Sequence, residues 1–441
     1  MRIIADLHVH SRHSRACSTE LSIANLEKWA RIKGVNILGT GDFCHPKWIE
    51  ELKSELSEDG SGILRTGSGF PFVLQNEVSL IYTQGGKGRR VHLVILAPSF
   101  AVVEKITSYL LSKGRIDYDG RPMFNISCID FSREMRNISD QIELIPAHAW
   151  TPWFGIFGSK TGFDSLEEAF GPEAKNIHAI ETGLSSDPEM NRKLSMLDRI
   201  NIVSFSDLHS FWPWRIGREA TIFEMEKINY HNLLRAIRTG EWLAGTIEVD
   251  PGYGKYHLDG HRLCKVSMEP SESRKHKNIC PACKRPMTIG VLNRVEQLAD
   301  REKPVGMPIF SKIIPLHELL AFELGSAMSS KKVWAEYYNI LKAGKNEYDI
   351  LLDAHEDELL KVTSRKIVDL IMSNRRAELT VKPGYDGEYG VLVVDGKESA
   401  IGSGEGEDKA KSDSRAIPAG SRAKKTNKPA NANQSGLNDF F

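Results

Sequence analysis

From residue 1 to about residue 250, short apolar runs alternate with longer amphipathic stretches, and that alternation restricts the fold more than any other feature. Ile3–Leu7, Asn36–Leu38, Phe72–Leu74, Val91–Ala97, Leu144–Pro146, Ile177–Ile180 and Ile202–Phe205 read as buried strands. Ile23–Lys33, Phe100–Lys113 and Pro188–Asp198 read as helices between them. Such a pattern builds a largely parallel sheet, open or closed into a barrel. Residues 251–300 change character, with Gly, His, Cys, Lys and Arg dominant. Helical periodicity returns from Leu316 to about Arg376, in Leu316–Gly325, Val333–Leu341 and Leu359–Asn374, and a strand-like run Val391–Val394 follows a turn at 383–387. The expected organisation is an α/β domain over 1–250, a small metal-binding module over 251–300 and a mostly helical region over 301–395. A tether almost without hydrophobic residues then spans 396–433, and a terminal peptide occupies 434–441.

The 441 residues are 41% hydrophobic and 26% charged, enough to bury a sizeable core, and the formal net charge is zero. A nucleic-acid partner must therefore be met by a local patch. Residues 261–294 offer one: Arg262, Lys265, Arg274, Lys275, Lys277, Lys284, Arg285 and Arg294 stand against only Glu269 and Glu272. The bland reading of such a run is a solvated surface. The N-terminal residues enter a strand pattern directly, with no signal-peptide region. No apolar run approaches the roughly 20 residues that span a membrane. Six cysteines at irregular spacing suit a reducing compartment, so the expectation is a cytoplasmic protein without a membrane partner.

Ligand-type residues gather at the expected strand ends. On a strand, positions two apart share a face, so His8 and His10 can bind one cation, and Asp207 and His209 repeat the arrangement after the last strand. Asp42 and His45, Glu77, His148 and Glu181 each follow an intervening strand, whereas His92 lies near the start of its own. Any one of these histidines could be an ordinary core residue; a His-x-His and an Asp-x-His at the two ends of one domain are harder to dismiss. The mixture of imidazoles and carboxylates suits zinc, manganese or iron better than calcium, and so many ligands imply two or three metals.

A second pattern lies in the basic segment. His261-x2-Cys264 and Cys280-x2-Cys283, fifteen residues apart, have the spacing of a structural zinc site, with His257 or His276 as alternatives to His261. The competing reading, a redox pair at Cys280 and Cys283, lacks a thioredoxin-like setting. Cys17, Cys44 and Cys128 have no partners at useful spacing.

Asp6-Leu7-His8-Val9-His10, with Gly41-Asp42, Glu77, His148 and Asp207-x-His209, resembles the polymerase-and-histidinol-phosphatase (PHP) family. More closely, Gly39-Thr40-Gly41-Asp42-Phe43-Cys44-His45-Pro46 and the regions that follow resemble the endonuclease Q family over essentially the whole folded chain. One departure is Phe43, where many PHP members have a second-motif His; His45 stands two residues on, and His13 is a further candidate. The resemblance implies a distorted (β/α)7 PHP-type barrel, a multinuclear site holding Zn2+, with Mg2+ or Mn2+ as further candidates, and hydrolysis of phosphodiesters. It implies nicking on the 5′ side of deaminated or otherwise damaged bases (hypoxanthine, uracil, xanthine, abasic sites), with Asp207 bridging metals and orienting the nucleophile. DNA carrying damaged bases would be the partner, in a nucleoid-associated protein. The aromatic loops bearing Trp150 and Trp153, and Trp212 and Trp214, could stack on an extruded base or simply roof the site.

The chain ends Gln434-Ser435-Gly436-Leu437-Asn438-Asp439-Phe440-Phe441, which resembles the PIP box that binds the PCNA sliding clamp. One helical turn would gather Leu437, Phe440 and Phe441 into an apolar plug, with Gln434 in a side pocket. A PHP-family phosphoesterase acting on a small phosphorylated metabolite shares the metal ligands, but leaves the Cys/His module and the tail without purpose. A non-catalytic DNA-binding scaffold leaves the intact His-x-His and Asp-x-His unexplained.

Overall fold

In the computed structural model, residues 1–394 and 396–399 are described, and they pack as one compact unit. The expected terminal peptide with Gln434, Leu437, Phe440 and Phe441, and all of the expected tether from residue 400 onward, lie outside the described residues. Arg2–Asp6 pairs in parallel with Ile37–Gly39, which pairs in parallel with the start of the long strand Pro71–Gln84. From there the sheet departs from the largely parallel expectation. Pro71–Gln84 turns back on Lys87–Ala97 as an antiparallel hairpin, and Glu143–Pro146 adds to that strand antiparallel. On the other side of Arg2–Asp6, Ala220–Glu224 and Leu243–Glu248 are also antiparallel. The cause of the hairpin is local. Gly85 and Gly86 hold φ of 60° and 73°, the pair of left-handed residues that a two-residue turn matched to strand twist requires.

Ala179–Glu181 and Asn201–Val203 form a parallel pair, tied to the Glu143–Pro146 side by the Ala149 amide, which donates to Glu181 O at 2.9 Å. The chain after Asn201–Val203 meets the first strand at a seam made largely by one side chain. Buried Asp6 accepts from the Ser206 amide (2.9 Å), the Ser206 hydroxyl (2.5 Å) and the Gly217 amide (3.0 Å). His10 N donates to Leu208 O at 3.1 Å beside it. The Asp-x-His motif is thereby brought against the His-x-His motif.

Helices follow their capping signals. Ile23–Lys33 starts at Ser22, whose hydroxyl accepts from Asn25 N, and stops at left-handed Gly34. Leu26, Trp29, Ala30 and Lys33 form its buried stripe. Phe100–Lys113 is capped by Ser99 in the same way. The helix expected over Pro188–Asp198 is instead two short turns, Pro188–Asn191 and Ser195–Leu197.

Beyond residue 250, Asp259–His261 and Val266–Met268 form a hairpin, Val291–Leu298 is helical, and Phe310–Lys312 rejoins the main sheet beside Leu243–Glu248. Leu316–Leu324, Lys331–Ile340 and Arg365–Arg375 are the main helices of the C-terminal region. This region also carries a sheet, Thr380–Lys382, Val391–Val394 and Lys397–Ser399, so the expected tether begins later than residue 396. Polar Lys397–Ser399 is held by backbone pairing to Val391–Val394, which its composition does not reveal.

The helical region docks through a buried ion pair. Lys33 Nζ lies 2.6 Å from Glu347 Oε1 and donates to Pro213 O, while Tyr337 Oη and Leu316 N donate to Glu347. No helix among the described residues is long and apolar enough to cross a membrane.

Candidate metal centre

His8 and His10 follow the first strand on extended backbone, and both are fully buried with their rings turned inward. Glu77 is not at a strand end, as its position after Phe72–Leu74 suggested. It lies within Pro71–Gln84, four residues beyond Val73, which pairs with the last residue of Ile37–Gly39. His92 pairs with Ser79 across the hairpin while Glu77 pairs with Val94, so Glu77 and His92 are diagonal neighbours on one face.

Two groups of ligand atoms result, His8, His10, Glu77 and Asp207 in one, Glu77, His92 and His148 in the other, each with its atoms within 4.8 Å of one another. Glu77 belongs to both. Its Oε2 lies 3.5 Å from His8 Nε2 and 3.2 Å from His10 Nε2; its Oε1 lies 2.8 Å from His92 Nδ1 and 3.3 Å from His148 Nε2. Asp207 Oδ1 lies 3.5 Å from His8 Nε2 and 3.1 Å from His10 Nε2. Asp207 retains 28% of its side-chain exposure while His8, His10 and Glu77 retain none, so the group opens to solvent on the Asp207 side.

Asp42 and Glu181 hold ligands rather than joining them. Asp42 Oδ1 takes His10 Nδ1 at 3.1 Å, and its Oδ2 accepts from Ser11 N, Ser11 Oγ and Ser14 Oγ. Glu181 Oε1 takes His8 Nδ1 at 2.9 Å, and its Oε2 accepts from His148 N at 2.6 Å. Each carboxylate fixes the tautomer and aim of an imidazole whose Nε2 faces Glu77 and Asp207, the division of labour found around metal-bound histidines. Neither Asp42 nor Glu181 is in either group of mutually close ligand atoms. His45 lies apart from both groups, stacked on His13 with centroids 4.3 Å apart. His209 packs its ring 4.8 Å from that of His10, and its Nδ1 is turned to Asp207 O, so it borders the group without entering it.

The electrostatics favour a cation. Burial alone would raise the Glu77 carboxyl, but His92, Arg121 and His8 hold it well below the ordinary value; His8, His209 and His10 do the same for Asp207. Burial opposes charge on His8, yet the carboxylates of Glu181, Asp207 and Glu77 lift its pKa well above the ordinary one. His92 behaves oppositely, and burial lowers it to about 3. His8 Nε2 is buried without a hydrogen-bond partner among the described residues. A buried, unpartnered imidazole nitrogen facing ionised carboxylates fits a metal ion, and the mixed N/O donor set suits zinc or manganese. Asp42, His148 and Asp207 also adopt left-handed φ of 41°, 30° and 48°. Non-glycine residues there carry about 1–2 kcal/mol of strain each, a concentration typical of functional sites.

Arg121, whose Nη1 donates to Glu77 Oε2 at 3.0 Å, carried no sequence signal. Neither did Gly120, where an added Cβ would collide with the Asp42 carboxylate.

His261, Cys264, Cys280 and Cys283 converge within 4.8 Å, and His257 and His276 are not in that group. Cys283 Sγ lies 3.5 Å from His261 Nδ1, the separation expected of tetrahedral ligands with bonds of about 2.3 and about 2.1 Å. The module's own apolar core is Met268, Cys280 and Met287, too little to hold it alone. Arg262, Lys265, Arg274, Lys275, Lys277, Lys284 and Arg285 are exposed on it, whereas Arg294 is bound to Phe157 O, Phe163 O and Asp164.

The aromatic loops are mostly committed to packing. Trp150 is fully buried and donates to Asn191 Oδ1, which removes it as a base-stacking residue. Trp212 and Trp214 stack on each other at 5.5 Å and pack on Trp334 of the helical region. Trp153 is half-buried, edge-on to Tyr256.

The family model described as the MJ0043 C-terminal domain matches residues 315–378. The chain is 31% identical over 286 residues to the uncharacterized protein MJ0043 of Methanocaldococcus jannaschii, covering 63% of this chain but only 35% of that one. It thus spans about a third of that relative's length. Its fold matches the crystal structure of the lesion-specific endonuclease PfuEndoQ from Pyrococcus furiosus, with a TM-score of 0.80, 29% identity, and coverage of 89% of this chain and 96% of the other. It matches equally an endonuclease Q in complex with a 27-mer duplex substrate bearing an abasic lesion at the active site, with a TM-score of 0.80, 30% identity, and coverage of 89% and 97%.

Proposed function

This chain belongs to the endonuclease Q family, and from that premise we propose that it is a metal-dependent DNA-repair endonuclease that nicks on the 5′ side of deaminated or abasic nucleotides. The observation that carries the reading is the sharing of Glu77 between the His8–His10–Asp207 and His92–His148 groups. A carboxylate with one oxygen toward each group suits a multinuclear centre that grips one phosphodiester. His8, His10, Glu77, His92, His148 and Asp207 would hold the cations, Zn2+ with Mn2+ or Mg2+ as alternatives, which would supply positive charge to the phosphoryl oxygens and acidify water. In this reading Asp207, the carboxylate with solvent access, orients the attacking water. Asp42 and Glu181 keep His10 and His8 aimed, and Arg121 adds a fixed positive charge behind Glu77.

In this reading residues 1–250 are a distorted (β/α)7 PHP-type barrel, and His261, Cys264, Cys280 and Cys283 would hold a structural zinc. That ion would let a segment with so small an apolar core present its exposed Lys and Arg to DNA phosphates. A metal-dependent cut immediately 5′ of a single deoxyinosine or deoxyuridine in an end-labelled duplex is the decisive test. Turnover of a phosphomonoester with no cut on any lesion would favour the metabolite phosphoesterase instead.

The sequence pattern of the tail supports coupling to the PCNA sliding clamp through Gln434, Leu437, Phe440 and Phe441. Deletion of residues 434–441 is expected to remove clamp binding, measured by surface plasmon resonance, without changing nicking in the clamp's absence. Unchanged clamp affinity would refute the assignment.

A further inference from the structure

Asp207 sits early in a long irregular loop, residues 204–219, that joins Asn201–Val203 to Ala220–Glu224. The loop contains no helix or strand of its own, and a bridge ties Leu208 to Val9. Asp207 is held in it at a φ of 48°, a conformation its own backbone disfavours, so the aim of its carboxylate depends on what pins the loop. Asp6 clasps both ends, taking Ser206 N and Ser206 Oγ at one and Gly217 N at the other. A second set of pins comes from the helical region. Tyr348 Oη donates to Gly217 O, so Gly217 is gripped by Asp6 through its amide and by Tyr348 through its carbonyl. Lys33 Nζ donates to Pro213 O at 2.9 Å and is itself held at 2.6 Å by Glu347 Oε1. Glu347 and Tyr348 are adjacent, so one short stretch of the helical region sets both contacts. Gly217 is required there twice over: its φ is 59°, and an added Cβ would stand 2.7 Å from Val35 Cγ2 and 2.9 Å from Tyr348 Oη. Lys33, Glu347 and Tyr348 are all buried, so water does not stand in for these bonds.

Resting on the metal-dependent endonuclease reading, we propose that Lys33, Glu347 and Tyr348 are positioning residues for Asp207, through which the helical region fixes the loop that aims the Asp207 carboxylate at the metal centre. None of the three belongs to the group of His8, His10, Glu77 and Asp207. The relay runs from Tyr348 through Gly217, Asp6 and Ser206 to the adjoining Asp207, and Lys33 steadies the middle of the loop at Pro213. Groups that orient a ligand from behind govern metal affinity and rate without touching the ion. The competing reading is that these contacts only glue the helical region in place. Glue and aim differ in what they predict. Loss of glue lowers stability alone, whereas loss of aim lowers metal affinity and the rate of the chemical step in a protein that stays folded.

Tyr348→Phe removes one hydroxyl and keeps the ring; Lys33→Met keeps most of the side chain and removes both of its contacts. In the full-length protein each is expected to weaken binding of added Mn2+ about tenfold, read by competition with a chromogenic chelator. Each is also expected to lower the saturating single-turnover nicking rate on a deoxyuridine duplex about ten- to a hundredfold, with duplex affinity within about twofold of native. Asp353→Ala is the control. It breaks the exposed Arg2–Asp353 pair, which links the same helical region to the first strand, and should leave metal affinity and rate unchanged. Native metal affinity and native rate in Tyr348→Phe would overturn the assignment. So would equal losses in Asp353→Ala, which would mark general undocking. If Lys33→Met fails to fold, Tyr348→Phe decides alone. A native protein that binds Mn2+ but cuts no lesion duplex defeats the endonuclease reading instead, and the Mn2+ affinities then decide the positioning role by themselves.

Discussion

Asp207→Ala is expected to slow nicking of a lesion-bearing duplex by about a thousandfold or more, while duplex affinity stays within about threefold. Asp207 is the only carboxylate of its group with appreciable solvent access, and its Oδ1 faces both His8 Nε2 and His10 Nε2. Its removal takes away the carboxylate on the solvent side of the group, whereas the exposed cations of the Cys/His module proposed to meet DNA lie elsewhere. Because φ at this position is 48°, alanine adds about 1 kcal/mol of backbone strain. Asp207→Asn separates the two effects, since asparagine tolerates the left-handed region and keeps the shape while losing the charge. Both variants should be equally inactive in single-turnover assays, with binding followed by fluorescence anisotropy. Activity in either variant within tenfold of native would remove Asp207 from the chemistry.

The second large effect concerns the Cys/His module. Cys280→Ser is expected to release one zinc ion per chain and to unfold residues 259–290, leaving the metal of the Glu77 groups in place. Structural zinc contributes an apparent binding free energy of about 10–16 kcal/mol, and three buried side chains cannot compensate for its loss. Plasma emission spectrometry reads the stoichiometry, and limited trypsin digestion reads the unfolding, with new cuts at Lys265, Lys275, Lys277 and Lys284. A native-like digest together with unchanged zinc content would exclude a structural ion here.

The sequence carried much of this arrangement. Ile23–Lys33 and Phe100–Lys113 begin at their Ser caps, and the first ends at left-handed Gly34, because those signals are local. The Cys/His group assembles as its spacing suggests, since two short knuckles leave few other geometries. What escaped was set by contacts distant in sequence. The Gly85-Gly86 turn was visible but unread as a hairpin, so strand direction was wrong there and Glu77 was placed at a strand end. Ligands and the residues that aim them look alike in sequence. Asp42 and His8 are both buried polar residues beside a strand, and only three-dimensional proximity shows that Asp42 grips His10. Arg121 lies in a stretch without any motif. Trp150, which looked like a base-stacking residue, proved to be core, because its hydrogen-bond partner Asn191 lies 41 residues away.

The seam at Asp6 also bears on how the molecule comes into being on the ribosome. The acceptor emerges first, and its donors at Ser206 follow 200 residues later. At about 5–20 residues per second, the nascent chain extends for about 10–40 s with His8 and His10 exposed and lacking Asp207. During that interval the emerging chain holds imidazoles but not the carboxylate that completes their site. The group of His8, His10 and Asp207 is thus completed late, in one long-range closure, after Glu77, His92 and His148 have already been made.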